Sequence, residues 1–68
     1  MARFKIATVD GYEIVVEHQS ETPEDFATAM NGRRTSEVTE IIRSSHGESE
    51  KRGNIVLFTD HIIAIRAA

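Results

Sequence analysis

The fold of this chain is limited first by its lack of cysteine. Its 68 residues contain none, so no disulfide can reinforce the fold, and the thiolate ligands of the usual structural zinc site are missing too. A chain of this size buries only about 60% of the surface that its unfolded form exposes. We therefore expect one thinly stabilised domain over residues 1–68, with self-association as a way to bury more apolar surface.

Composition and charge are typical of a soluble globular protein. Hydrophobic residues make up 40% of the chain and charged residues 28%, with a net charge of −3, so the chain is not of the disordered class. The negative charge argues against binding nucleic acid by bulk electrostatics. No apolar run is long enough to span a bilayer, and Met1–Lys5 is not followed by the apolar core of a signal peptide. The expected location is the cytoplasm.

The N-terminal part predicts a β-hairpin. Two runs rich in β-branched and aromatic residues, Phe4–Val9 and Tyr12–His18, flank the turn-forming pair Asp10-Gly11. A two-residue turn would set apolar side chains against charged ones. A three-residue loop with Gly11 in the left-handed conformation instead brings the apolar residues onto one face. That loop predicts the cross-strand pairs Phe4 with Val16, Ile6 with Ile14 and Thr8 with Tyr12.

One short helix is predicted at about residues 23–31. Thr22 is a typical N-cap, Pro23 suits the first helical position, and Asn31-Gly32 provides the end. Phe26 and Met30 share one face, which is expected to pack on the sheet.

The second half of the chain gives less clear signals of secondary structure. Residues 36–45 have helical apolar spacing but are dense in β-branched residues, so both a helix and a strand stay open, with the strand favoured. Residues 46–54 are predicted to form a solvated hairpin loop. The apolar runs Ile55–Phe58 and Ile62–Ile65 predict two strands joined by a tight turn at Thr59–His61.

These elements predict an α+β fold in the order β-β-α-β-β-β, either a small antiparallel sheet or an SH3-like barrel. With a brief final strand after a tight turn, the layout resembles small SH3-like and Sm-like barrel proteins. Residues 53–65 also resemble the closing strands of many small bacterial and phage proteins. Both resemblances concern layout and carry no diagnostic motif.

Catalysis is not predicted. His18, His46 and His61 match no metal-ligand spacing, and Ser44–His46 places hydroxyls beside an imidazole only along the chain. The glycines are isolated and form no phosphate-binding motif. We therefore expect a protein that is not an enzyme and that uses no metal or other cofactor.

The leading hypothesis is a non-catalytic binding or regulatory module that acts through a protein–protein interface and self-associates. The apolar C-terminal strands supply the predicted interface residues Ile55, Leu57, Ile63 and Ile65. On this reasoning, Ile63→Asp should both unfold the domain and abolish any oligomer.

The alternative is a small barrel that binds single-stranded nucleic acid, with Tyr12 as a stacking ring. Its predicted contacts are the basic residues Arg33, Arg34, Arg43, Lys51 and Arg52.

Overall fold

The residues that the structure describes form five strands and one helix in the predicted order β-β-α-β-β-β. The computed structural model describes the backbone of residues 1–43 and 49–68 and the side chains of residues 1–42 and 53–68. All strand pairs are antiparallel, and the sheet order is β4-β3-β2-β1-β5. The elements are β1 (Ala2–Thr8), β2 (Glu13–His18), α1 (Pro23–Met30), β3 (Thr35–Arg43), β4 (Ser49–Phe58), a 3₁₀ turn (Thr59–His61) and β5 (Ile62–Ala67).

The β1–β2 hairpin has the predicted three-residue loop. The Thr8 N–H donates to the Tyr12 carbonyl at 2.9 Å, and the Gly11 N–H donates to the Thr8 carbonyl at 3.1 Å. Gly11 has a φ of 89°, a left-handed conformation that glycine adopts without steric cost. The predicted pairs Phe4 with Val16 and Ile6 with Ile14 are confirmed. The apolar side chains of both strands therefore share one face.

Helix α1 begins and ends within one residue of the prediction. Thr22 caps it, because its Oγ1 accepts from the Asp25 N–H at 3.0 Å. Phe26 and Met30 are the buried residues of the helix, and the ring of Phe26 meets that of Phe4 edge-on at 5.0 Å. Within the described ranges, no helix is long and apolar enough to cross a membrane.

The ambiguous segment after the helix is a strand, as favoured from its β-branched residues. In β3, Val38 pairs with Ile55 and belongs to the core, whereas Ile41 pairs with Val15. Because Val16 is a core residue, its neighbour Val15 and the paired Ile41 lie on the opposite face of the sheet. The apolar spacing that imitates a helix thus serves two faces of a strand.

The predicted solvated loop over residues 46–54 is wrong from Ser49 onward, and residues 46–48 lie outside the described part. Strand β4 already begins at Ser49, which pairs with Arg43. The ladder shifts register where Glu40 opposes Gly53 and Ile41 opposes Lys51, which leaves one extra residue on β4. Gly53 has a φ of 126° at this bulge. Pairing with the long strand β3 overrides the loop-like local composition.

The two C-terminal strands are joined by the predicted tight turn at Thr59–His61 and do not pair with each other. β4 pairs with β3 and β5 pairs with β1, so these strands lie at the two edges of the sheet. The 3₁₀ turn between them is held at both ends: the Thr59 N–H donates to the Arg34 carbonyl at 2.9 Å, and the His61 carbonyl accepts from the Val9 N–H at 2.8 Å. These bonds direct the chain from one edge to the other.

The core lies between α1 and one face of the sheet, the face that carries the apolar side chains of the β1–β2 hairpin. Partly buried side chains, among them Ile14, Ile62 and Ile65, pack against its margin. Its buried members are Phe4, Ile6, Val16, Phe26, Met30, Val38 and Leu57.

Candidate functional site

Four large apolar side chains are more than half exposed near the end of the sheet that carries the β1–β2 loop. They form the surface that we call the apolar rim: Val9 (58% exposed), Tyr12 (69%), Val56 (55%) and Phe58 (55%). Two aromatic rings left in solvent on so small a chain are typical of an interaction surface.

The apolar rim is assembled by contact between the β1–β2 loop and the 3₁₀ turn. The Val9 N–H donates to the His61 carbonyl at 2.8 Å, and the rings of Phe58 and His61 lie 6.0 Å apart. Tyr12, Val56 and Phe58 line one shallow groove of about 300 Å³. Side chains from two segments that are distant in sequence therefore present a common apolar surface.

The first basic doublet lies beside this surface. Arg33 and Arg34 are exposed in the turn between α1 and β3. The Thr59 hydroxyl donates to the Arg33 carbonyl at 2.7 Å, and the Thr59 N–H donates to the Arg34 carbonyl. Since Thr59 directly follows Phe58, the doublet and the apolar rim lie at the same end of the sheet.

The other predicted basic residues lie toward the far end of the β3–β4 hairpin. Thr35 pairs with Phe58 at one end of the ladder, and Ile41 pairs with Lys51 further along. Six residues of strand span roughly 20 Å. The structure therefore does not bring Arg43, Lys51 and Arg52 together with the first doublet along the hairpin; their side chains lie outside the described residues.

The predicted interface residues differ in exposure. Leu57 is only 8% exposed and belongs to the core, while Ile55 and Ile65 are partly buried against it. Ile63 is 65% exposed and lines a groove between α1 and β5. Ile63 therefore contributes little to the core. We now expect Ile63→Asp to leave the domain folded, contrary to the expectation from the sequence.

His18 has a more specific environment than its place at a strand end indicates. Its ring stacks on Phe26 at 4.3 Å with an interplanar angle of 11°, and its Nδ1 accepts from the Ser20 N–H at 3.0 Å. The Ser20 hydroxyl lies 2.8 Å from the same nitrogen. Desolvation by burial lowers the pKa of His18 from its usual 6.5. This histidine is a packed, neutral member of the helix–sheet boundary.

Metal binding finds no support in the described part of the chain. No group of three or more His, Cys, Asp or Glu side chains there could hold a metal ion. His46 lies outside that part.

The residues of the apolar rim other than Tyr12 were not singled out from the sequence. Ile55 and Leu57 point toward the core, so the alternation of a strand turns Val56 and Phe58 outward. That alternation was available in the sequence, but a continuous apolar run hides it. No residue pattern in either segment predicts the contact between the β1–β2 loop and the 3₁₀ turn.

Comparison with known proteins adds no assignment: neither models of protein families, nor curated proteins, nor solved structures gave a significant match to this chain.

Proposed function

We propose that this protein is a small non-catalytic binding module that self-associates through the apolar rim. The observation that carries the proposal is the exposure of Val9, Tyr12, Val56 and Phe58, each more than half in solvent. Burying such side chains against a second copy removes apolar area from water at a gain of about 25 cal/mol per Å². Rigid aromatic rings also lose little conformational entropy on binding, and they are frequent anchors of interfaces.

The charges around the apolar rim suit pairing of identical surfaces. Asp10 lines the groove and Asp60 lies in the 3₁₀ turn, while Arg33 and Arg34 lie in the adjacent turn. In a two-fold symmetric dimer each patch meets its own copy, so an arginine of one copy can approach an aspartate of the other. Such peripheral pairs contribute mainly to orientation and to the rate of association.

The association is expected to be weak. A standard interface buries about 800 Å² on each partner. That area would be about one sixth of the 4830 Å² that the whole protein exposes. A rim of four side chains covers less than that standard area. Dimerisation should therefore depend on concentration rather than be permanent.

Sedimentation velocity over a wide concentration range tests the proposal. The wild type should shift from monomer toward dimer as concentration rises, and Phe58→Ser should remain monomeric. Ile63→Ser is the matched control, because Ile63 is equally exposed but lies outside the apolar rim. A wild type that stays monomeric at the highest concentration, or equal loss of dimer in both variants, would contradict the proposal.

Single-stranded nucleic acid is the second candidate ligand. The specific observation in its favour is that the backbone carbonyls of Arg33 and Arg34 are hydrogen-bonded to Thr59, the residue after Phe58. Phe58, Tyr12 and His61 line one groove. Bases stack on aromatic rings while arginines contact phosphates. The net charge of −3 opposes this function.

Titration of labelled single-stranded RNA and DNA at low salt separates the two candidates. A nucleic-acid-binding protein should bind at low salt, lose affinity steeply as salt rises, and lose it with Arg34→Glu. Absence of binding at low salt would remove this candidate and leave self-association unaffected.

Closure of the sheet into an SH3-like barrel belongs to the same proposal. The three-residue 3₁₀ turn joins the edge strands β4 and β5, so their adjoining ends are close, which favours a strongly curved sheet. The closure that we propose is partial and confined to the strand ends that the turn joins, so residues 65–67 stay unpaired on their outer side. Nuclear Overhauser contacts between the amides of Phe58 and Ile62 would support it. A cytoplasmic location is likewise proposed, because a chain without cysteine gains nothing from an oxidising compartment.

A further inference from the structure

Strand β5 is an edge strand with backbone groups directed away from the sheet. Among the described strands it pairs with β1 only, and the Ala68 N–H donates to the Arg3 carbonyl at 3.1 Å. In an antiparallel ladder, alternate residues bond to the neighbouring strand. The register then directs the backbone groups of Arg66 toward β1 and those of Ile65 and Ala67 outward. The ladder is irregular at Ile63, and from Ala64 to Ala67 the outer side of β5 is a row of donors and acceptors open to another strand.

Two cations are set against each other on the sheet face opposite the core. Lys5 directly opposes Arg66, and Arg3 lies two residues before Lys5 on the same face. Arg3 has an acidic neighbour, with its Nε 3.6 Å from the Glu17 carboxylate. Among the described side chains, no acid lies within ion-pair distance of Lys5 or Arg66. Like charges directly opposed across strands destabilise a sheet, so this pair favours an anionic partner.

The other side of the β5 edge is a groove of mixed polarity with one apolar wall. A groove of about 670 Å³ runs between α1 and β5. Ile63 lines it and is 65% exposed, although the lining also includes the polar residues Glu24 and Asp60. A strand added along β5 would turn alternate side chains toward this groove and toward Arg66. Its apolar wall is formed by Ala27, Met30, Ile62, Ile63, Ala64 and Ile65.

We propose that the free edge of β5 binds an extended segment of a partner protein in which apolar and acidic residues alternate. The backbone of the segment would continue the sheet as a sixth strand. Its apolar side chains would occupy the α1–β5 groove, and its carboxylates would face Arg66 and Lys5. This interaction uses a surface other than the apolar rim and does not depend on self-association.

The free edge favours a peptide over a nucleic acid. Outward N–H and C=O groups in alternation require a partner with the same alternation, which a peptide backbone has and a phosphate backbone lacks. The apolar wall of the groove beside the edge also accepts aliphatic side chains. Tighter binding of nucleic acid than of a peptide at these cations would therefore overturn the proposal.

Labelled peptides of about eight residues test the proposal by fluorescence anisotropy. The probe alternates valine and glutamate with both ends blocked. One control replaces its glutamates with lysine, and another replaces a central valine with proline, which removes a backbone donor. The valine–glutamate peptide should bind at least tenfold more tightly than either control. Equal binding of the proline-containing peptide, or tighter binding of single-stranded DNA than of the peptide, would overturn the proposal.

Amide hydrogen exchange locates the bound segment. The amides of Ile65 and Ala67 should exchange rapidly in the free protein and slow at least tenfold with saturating peptide. The amide of Arg66 should be protected in both states because it faces β1. Slowing confined to residues outside β5 would show that the peptide binds elsewhere and would overturn the assignment.

Charge reversal gives an independent test on a folded variant. Arg66→Glu replaces a repulsive pair with Lys5 by an attractive one, so its melting temperature should not fall. Its affinity for the valine–glutamate peptide should drop at least tenfold, and its affinity for the valine–lysine peptide should rise. Unchanged affinities in a folded Arg66→Glu variant would contradict the charge complementarity.

Discussion

At the scale of single residues, His18 shows how an ordinary side chain acquires a role from its neighbours. Its ring is stacked on Phe26, and its Nδ1 accepts the Ser20 N–H, an arrangement that only an unprotonated Nδ1 allows. Nothing near His18 in the sequence indicated the stack, because Phe26 follows eight residues later on the helix. The sequence did place His18 correctly at the end of β2.

The stability of the protein should fall as His18 becomes protonated. Burial lowers the pKa of His18 below 6.5 in the folded state. Between that lowered pKa and pH 6.5, the unfolded chain therefore binds more protons than the folded protein. The contribution is fully present above pH 6.5 and is lost as pH falls toward the lowered pKa. Urea unfolding of wild type and His18→Gln between about pH 7.5 and 5.5 should give a shallower pH dependence for the variant. Parallel curves would show that His18 does not carry the effect.

Two glycines illustrate which backbone features a sequence reveals. Gly11 follows Asp10 between two strand-like runs, and this local signal correctly predicted its left-handed conformation. Gly53 was assigned to a solvated loop, yet it opposes Glu40 at a β-bulge. A bulge is defined by the register with the partner strand, which the residues around Gly53 do not encode.

At the scale of elements, α1 was the best-predicted part of the chain because its signals are local. The cap, the proline and the stop all lie within or beside the helix itself. Strands β3 and β4 were predicted less well, since β4 gains its first residues only through pairing with β3. The turn between β4 and β5 was predicted correctly at Thr59–His61. Its hydrogen bonds to two distant segments were not predicted, because they depend on the tertiary fold.

Removing the cap of α1 should weaken the protein measurably. Thr22→Ala deletes the oxygen that accepts the Asp25 N–H and is expected to cost about 1 kcal/mol of unfolding free energy. Thr28→Ala is the matched control, because Thr28 is exposed within the helix and alanine has the higher helix propensity. Chemical unfolding should show a loss for Thr22→Ala and none for Thr28→Ala. Equal stabilities of the two variants would contradict a stabilising cap.

At the scale of the whole molecule, exposure separates structural residues from candidate binding residues on the same apolar strands. Leu57 is in the core, while Val56 and Phe58 on either side of it are exposed. The sequence could show that these strands are apolar, but it could not show which side chains α1 covers. It also could not reveal that β5 pairs with β1, which sets Arg66 opposite Lys5. The candidate surfaces therefore depend on topology.

Paired aspartate substitutions test this separation. Leu57→Asp places an unpaired charge in the core and should cost about 5 kcal/mol, as much as the whole stability of a small domain. Ile63→Asp lies at the surface and should change stability by about 0.5 kcal/mol. Circular dichroism melting should show an unfolded Leu57→Asp and a folded Ile63→Asp. Unfolding of both variants would show that Ile63 contributes to the core.

Isotope-filtered NMR can show whether identical apolar rims meet between copies of the protein. A mixture of labelled and unlabelled protein at millimolar concentration should give intermolecular Overhauser contacts from the rings of Tyr12 and Phe58 to Val9 or Val56 of another copy. Intermolecular contacts that lie only elsewhere, or none at that concentration, would contradict self-association through this surface.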